Sequence, residues 1–263
     1  MRVEGGLAER EGLEPAANKS SSRKGKRRQR KPPAMPTLVQ KLYVTCREVF
    51  SDGRAGVVPS TADVEHLRSV LDHMNPADVG LDQNMRYFRN FGNTEKPPVT
   101  YLHLYECDEF SIGIFCLPPS AVIPLHNHPG MTVFSKLLFG SMHIRSYDWA
   151  ETPQQAVQPD GMRLARVKTD ATFTAPCNTS ILYPASGGNM HCFTALTSCA
   201  VLDVLGPPYS DDQGRHCTYY SDSPHASFSE GDGEVYAWLE EKEKPEDFHV
   251  VGAKYRGPRV VVS

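Results

Sequence analysis

Residues 124–142 read PLHNHPGMTVFSKLLFGSM, and this stretch decides how the whole chain is read. His126 and His128 stand two apart, just before Pro129-Gly130, and an apolar run follows them. In an extended strand, side chains at i and i+2 share a face about 6.6 Å apart along the chain. Two imidazoles so placed could converge on one ion. With ten histidines in the sequence the spacing alone is a weak sign, and a surface pair beside a turn is the plain alternative. A second stretch, SILYPASGGNMHCFTAL at residues 180–196, brings His191 just after Gly187-Gly188. A turn followed by a strand histidine can carry a third ligand to the same cavity. Three neutral imidazoles on adjacent strands would cap one side of an ion and leave other positions open, as a catalytic metal requires and a closed structural site does not.

The sequence around these stretches has the texture of a β protein. From Val99 onward short runs such as VTYLHLYE, FSIGIFCL, SMHIRSYDW, CAVLDVLG and RHCTYY are punctuated by Gly, Pro, Asn and Asp. Many short strands with turn signals predict an all-β sandwich or barrel, here a core over residues 99–221. Ahead of it, Leu38, Leu42, Cys46 and Val49 recur at helical spacing, and Val64, Leu67, Leu71 and Met74 do so after Ser60. These predict two amphipathic helices packed outside the barrel, in a helical lead-in over 36–98. Beyond residue 222, EVYAWLEEKEK is expected to be a short helix, with a last strand or two in FHVVG and RVVVS.

Composition narrows the class. The chain has 263 residues, 40% hydrophobic and 22% charged, enough for one domain with a real core. Lys19 to Lys31 carries eight basic residues and no acid, whereas residues 32–263 carry 18 basic and 27 acidic side chains. Residues 1–35 lack hydrophobic periodicity and are expected to be a disordered basic tail ahead of a single domain over 36–263. The run KGKRRQRK within it reads as a nuclear localisation signal. A solvated tail is the plainer alternative; direct nucleic-acid binding is not expected, because no aromatic residue is interleaved for base stacking. No apolar stretch reaches 18 residues, so no membrane span is expected, and the acidic N-terminus has no apolar core of a secretory signal. The seven cysteines are odd in number with no CxxC pair, which points to reduced thiols rather than a disulfide framework. No coiled-coil pattern exists, and a monomer is expected.

The two histidine segments resemble the paired motifs of cupins: HxH, four residues, Glu, six residues, Gly, and then Pro, Gly, two residues, His. His126, His128 and Gly140 fall in register with the first, and Pro184, Gly188 and His191 follow the second with extra residues after the proline. The glutamate slot holds Val133. A three-histidine cupin without that carboxylate resembles the thiol dioxygenases, and the wording around the motifs is similar to the plant cysteine oxidases, relatives of animal cysteamine dioxygenase. The resemblance covers roughly residues 36–263. It implies a double-stranded β-helix jelly-roll barrel and Fe(2+) held by His126, His128 and His191. It also implies an enzyme that uses O2 to oxidise the N-terminal cysteine of proteins or peptides to cysteine sulfinic acid. The implied targets are transcription factors, marked by the oxidised end for the N-degron route, so that O2 is co-substrate and signal. Nucleus and cytoplasm are the compartments this suggests. The ligand set fits such chemistry: three neutral imidazoles leave the ion its full charge, which a substrate thiolate can compensate.

Four further residues carry expectations. Asp203 lies in the otherwise apolar CAVLDVLG and needs a partner if buried. Arg145 is the structural option, and the resemblance implies a role beside the iron, orienting a histidine or receiving the substrate amine. Tyr209, in GPPYSDDQG, is expected either to hydrogen-bond O2 or substrate or to be a rim aromatic. Cys217 and Tyr219, two apart in RHCTYY and expected on one strand face, are a candidate crosslinked pair, with ordinary packing as the alternative. Two rivals to the main reading remain: a dioxygenase of a small thiol such as cysteamine, and a non-catalytic cupin-fold nuclear binding protein.

Overall fold

The computed structural model describes residues 35–90, 96–150, 161–224 and 234–262. The basic tail therefore lies outside the described residues. Two helices come first. In α1 (Leu38–Val49) the Thr37 hydroxyl caps the start by accepting from the Gln40 amide at 3.1 Å, and in α2 (Thr61–Asp72) Ser60 accepts from Asp63 at 3.2 Å. Both helices bury the apolar stripe that their spacing predicted, except that Leu38 is only half-buried, and Met74 joins just past α2.

Among the described residues twelve strands follow, beginning with β1 (Val99–Glu106), β2 (Ser111–Leu117), β3 (Val122–His126), β4 (Thr132–Phe139), β5 (Ser141–Trp149) and β6 (Arg163–Thr174). The second half comprises β7 (Ser180–Leu182), β8 (Met190–Ala195), β9 (Cys199–Gly206), β10 (Tyr219–Pro224), β11 (Tyr236–Lys242) and β12 (Val250–Ala253). One sheet runs β12-β1-β2-β9-β4-β7, and the other closes on itself in the order β10-β11-β6-β5-β8-β3. The fold is thus the jelly-roll barrel expected, with α1 and α2 packed outside it. Among the described residues no helix is long and apolar enough to cross a membrane.

The first sheet is covered on both faces. Its outer face packs Ile112, Ile114, Phe134, Leu202 and Val204 against the helices, while Phe115, Leu137 and Val201 point into the barrel. All eight residues of β4 are buried, which explains why MTVFSKLLF shows no polar alternation. The exception in that run is Lys136, and an unpaired buried charge would cost several kcal/mol. Its Nζ donates to the Cys177 carbonyl at 2.6 Å and faces Asp72 at 3.5 Å. Asp72, the last residue of α2, also accepts from the Thr179 amide and hydroxyl at 2.7 and 2.6 Å. This cluster ties the helical cover to the barrel.

Two expectations are corrected. The EVYAWLEEKEK segment is strand β11, paired to both β10 and β6, and not a helix. The charged tail of that segment reads as helical, but Ala237 and Leu239 alternate inward and its neighbours supply ladder partners on both edges. Strand β10 starts at Tyr219, so Cys217 lies in the loop before it rather than on its face. That loop is folded back by Arg215, whose buried guanidinium donates to the Pro208 carbonyl at 2.9 Å.

Candidate metal centre

Strand register assembles the site. His126 pairs directly with His191 across β3 and β8, and on its other side pairs with Tyr219 of β10. Paired residues point to the same face, so one row across the second sheet carries two imidazoles and a phenol into the barrel. His128 arrives from the loop that follows β3. The three rings stand 4.8 to 4.9 Å apart, and one nitrogen from each lies within 4.8 Å of the others.

The outer nitrogens settle what the inner ones can do. His126 Nδ1 faces the Pro124 carbonyl at 2.8 Å and so carries the proton. His128 Nδ1 donates to the Tyr209 oxygen at 2.9 Å, and the Tyr209 hydroxyl donates on to the Asn127 carbonyl at 2.7 Å. With Nδ1 protonated, each Nε2 presents a lone pair. His128 Nε2 and His191 Nε2 are 3.1 Å apart. Two donors at about 2.1 Å from one ion would be about 3.0 Å apart at a right angle and about 3.4 Å apart in a tetrahedron. The spacing of this pair is short enough for both nitrogens to hold one ion. Burial lowers the pKa of all three imidazoles, and their mutual repulsion lowers those of His128 and His191 further. They are therefore neutral and ready to bind a cation. The residues present fit a divalent transition metal.

The ligands line a cavity of about 220 Å3 whose remaining wall is mainly apolar, from Phe115, Ile123 and Phe193 to Phe248 at the rim. Val133, in the slot where the motif it resembles has a glutamate, packs with Met131, Leu182 and Leu205 beside Tyr209. Phe193 stacks on His191 at 4.4 Å and fixes that ring's plane.

Asp203 stands on the opposite wall, on β9, directly across from Ser135 of β4. Arg145 is not its partner: that side chain pairs with Asp170 and Asp222 at 3.6 and 3.3 Å. Ser135 hydrogen-bonds the Asp203 carboxyl, yet Oδ1 is buried with no partner. Burial pushes the Asp203 pKa up to about 7, partly opposed by Ser135. Such a group gains most from a cation brought into the cavity.

Cys217 lies within hydrogen-bond contact of both Tyr209 and Tyr219, and burial raises its pKa. All the candidate residues thus converge on one cavity. The Tyr209 hydroxyl, besides meeting Cys217, bonds His128 and Asn127.

Two further groups support the site without any motif to mark them. Asp148, on β5, accepts from the Gly187, Gly188 and Asn189 amides at 3.1, 2.8 and 3.2 Å. Asn189 bonds the backbone of His128 through both ends of its amide. Asn189 precedes His191 by two residues, the same spacing as the HxH pair, which is the one sign in the sequence that points to it. Nothing local marks Asp148.

Known proteins place the chain. A family model described as PCO_ADO matches residues 70–260. Plant cysteine oxidase 2 of Arabidopsis thaliana is 59% identical over 92% of this chain and 90% of its own length. Plant cysteine oxidase 1 of the same plant is 59% identical over 85% and 80%. The 2-aminoethanethiol dioxygenase of Mus musculus is 34% identical over 86% of this chain and 98% of its own length. The chain therefore belongs to the PCO_ADO family of cupin-fold thiol dioxygenases, on the plant cysteine oxidase side of it.

Proposed function

We propose that the protein is an Fe(2+)-dependent dioxygenase that converts the N-terminal cysteine of a protein or peptide to cysteine sulfinic acid. The observation that carries this reading is the pairing of three neutral, inward-facing imidazoles with a carboxyl in the same cavity whose Oδ1 is buried and unpartnered. Thiol and O2 give R–SO2H, both oxygen atoms going to sulfur, which is oxidised by four electrons. The iron supplies, when bound, the Lewis acidity that favours a thiolate and the one-electron chemistry that O2 requires.

The chain's own residues supply the rest. His126, His128 and His191 hold the ion on one face and leave room opposite. Asp203 receives the substrate's α-amine as an ion pair, fixing the cysteine so that its sulfur reaches the metal. Tyr209 holds His128 in the tautomer that binds. Apolar walls at Phe115, Ile123 and Phe193 exclude water around the reacting atoms. Cys217 and Tyr219 are placed to form a thioether, with loss of two hydrogens to O2 as oxidant. An intact mass lower by two hydrogens after turnover is the expected sign of it, and an unchanged mass rejects it.

The choice of N-terminal cysteine over 2-aminoethanethiol is supported by the higher identity to the plant cysteine oxidases. By the same resemblance the oxidised end feeds N-degron turnover, O2 acts as a signal, and the basic tail serves nuclear as well as cytoplasmic work. The test is incubation of the Fe(2+)-loaded protein under O2 with a Cys-starting peptide and, separately, with 2-aminoethanethiol. The peptide should gain two oxygen atoms. Oxidation of the small thiol alone would overturn the substrate assignment.

A further inference from the structure

Asp148 and Asn189 are both buried and both polar, and neither reaches the cavity. Their hydrogen bonds go to the backbone that carries the ligands. The Gly187-Gly188 turn needs left-handed φ values of +84° and +86°, and a Cβ on Gly188 would collide with the Ser146 side chain. Such a turn leaves successive amides pointing to one side. Asp148 Oδ2 takes the first, and Oδ1 takes the next two. A buried carboxylate with three N–H donors is charge-satisfied without a cation.

Asn189 passes that fixed position on. Its Oδ1 accepts from the His128 amide at 3.1 Å, and its Nδ2 donates to the His128 carbonyl at 2.9 Å. Nδ2 also donates to the Tyr183 carbonyl at 2.9 Å. His128 lies past the end of β3 and has no strand partner, so the amide stands in for one. It binds the His128 backbone to the strand that bears His191. Two ligands from segments about 60 positions apart are thereby held as one unit.

We propose that Asp148 and Asn189 are positioning residues of the metal centre: Asp148 fixes the turn, and Asn189 locks His128 to His191. This rests on the metal-site reading above. The experiment is a Co(2+) titration of the metal-free, full-length protein and of Asn189→Ala and Asp148→Asn, read by the visible spectrum of the bound ion. Thermal unfolding of the metal-free forms is followed in parallel.

Asn189→Ala should bind Co(2+) about 10- to 100-fold more weakly. Its bands should shift as the donor geometry loosens, and the gain in Tm on adding metal should shrink. Asp148→Asn keeps one accepting oxygen and should lie between that variant and wild type. Wild-type affinity and spectrum in a variant whose metal-free Tm alone is lowered would overturn the proposal, because a purely structural role predicts that pattern. Should Asn189→Ala fail to fold, Asp148→Asn decides, and an affinity within about twofold of wild type overturns it. Failure of the wild type itself to bind Co(2+) would sink the metal-site reading along with it.

Discussion

The two walls of the cavity are built on opposite principles. On the histidine wall the outer nitrogens of His126 and His128 are bonded, and the His128 backbone is held by Asn189. On the acid wall Asp203 is left with one buried oxygen unpartnered, in a strand that is otherwise apolar. A saturated wall is preorganised and spends no reorganisation energy when the metal arrives. An unsaturated group is destabilised until something charged meets it. On the function proposed above, the first wall suits the metal and the second the substrate.

The largest expected effect breaks the saturated wall outright. His191→Ala removes one of three ligands, and metal content in the purified protein should fall to background with turnover lost alongside it. Iron retained at wild-type stoichiometry would refute the ligand set. Asp203→Asn attacks the other wall alone. Metal content should stay near that of wild type while kcat/KM for a Cys-starting peptide falls on the order of 10²-fold through misplacement of the amine. Loss of metal instead would move Asp203 onto the ligand side of the comparison. Tyr209→Phe deletes only the oxygen that His128 Nδ1 meets, and metal affinity should drop about tenfold with the fold intact. An unchanged affinity with reduced turnover would return Tyr209 to a direct role with O2 or substrate.

The last expected effect is on stability rather than on binding or turnover, and it lies in pH dependence. Asp203 titrates near 7 in the folded, metal-free protein because it is buried, against about 3.9 in an unfolded chain. Between those values the folded state holds the extra proton, so this group's contribution to stability is present at low pH and lost as pH rises through about 7. Asp203→Asn removes the dependence. The variant's unfolding free energy relative to wild type should rise by as much as roughly 4 kcal/mol from about pH 4 to about pH 8, at about 1.4 kcal/mol per tenfold change in proton affinity. A difference that stays flat across that range would show that Asp203 is not desolvated.

Much of this molecule is legible in its sequence. The capped helices, the β texture, the three histidines and the vacant glutamate slot at Val133 are local signals: each is a spacing or a residue type within a few positions. The helix expected over EVYAWLEEKEK fails because local propensity competes there with ladder partners from β6 and β10, which lie far away in sequence. Arg145 is a reasonable partner for Asp203 by charge, but the two stand on different sheets. Asp148 is one aspartate in SYDW and takes its meaning from amides some 40 positions on.

By itself, then, the sequence determined the class of fold and the three histidines of the candidate metal centre, because periodicity and motif spacing are properties of neighbouring residues. Tertiary structure alone decided which imidazole nitrogen faces inward, that Tyr209 serves His128, that Asp203 keeps a free oxygen, and that Asp148 and Asn189 stand behind the ligands. Those depend on strand register and burial, and both come from contacts between residues far apart in the chain.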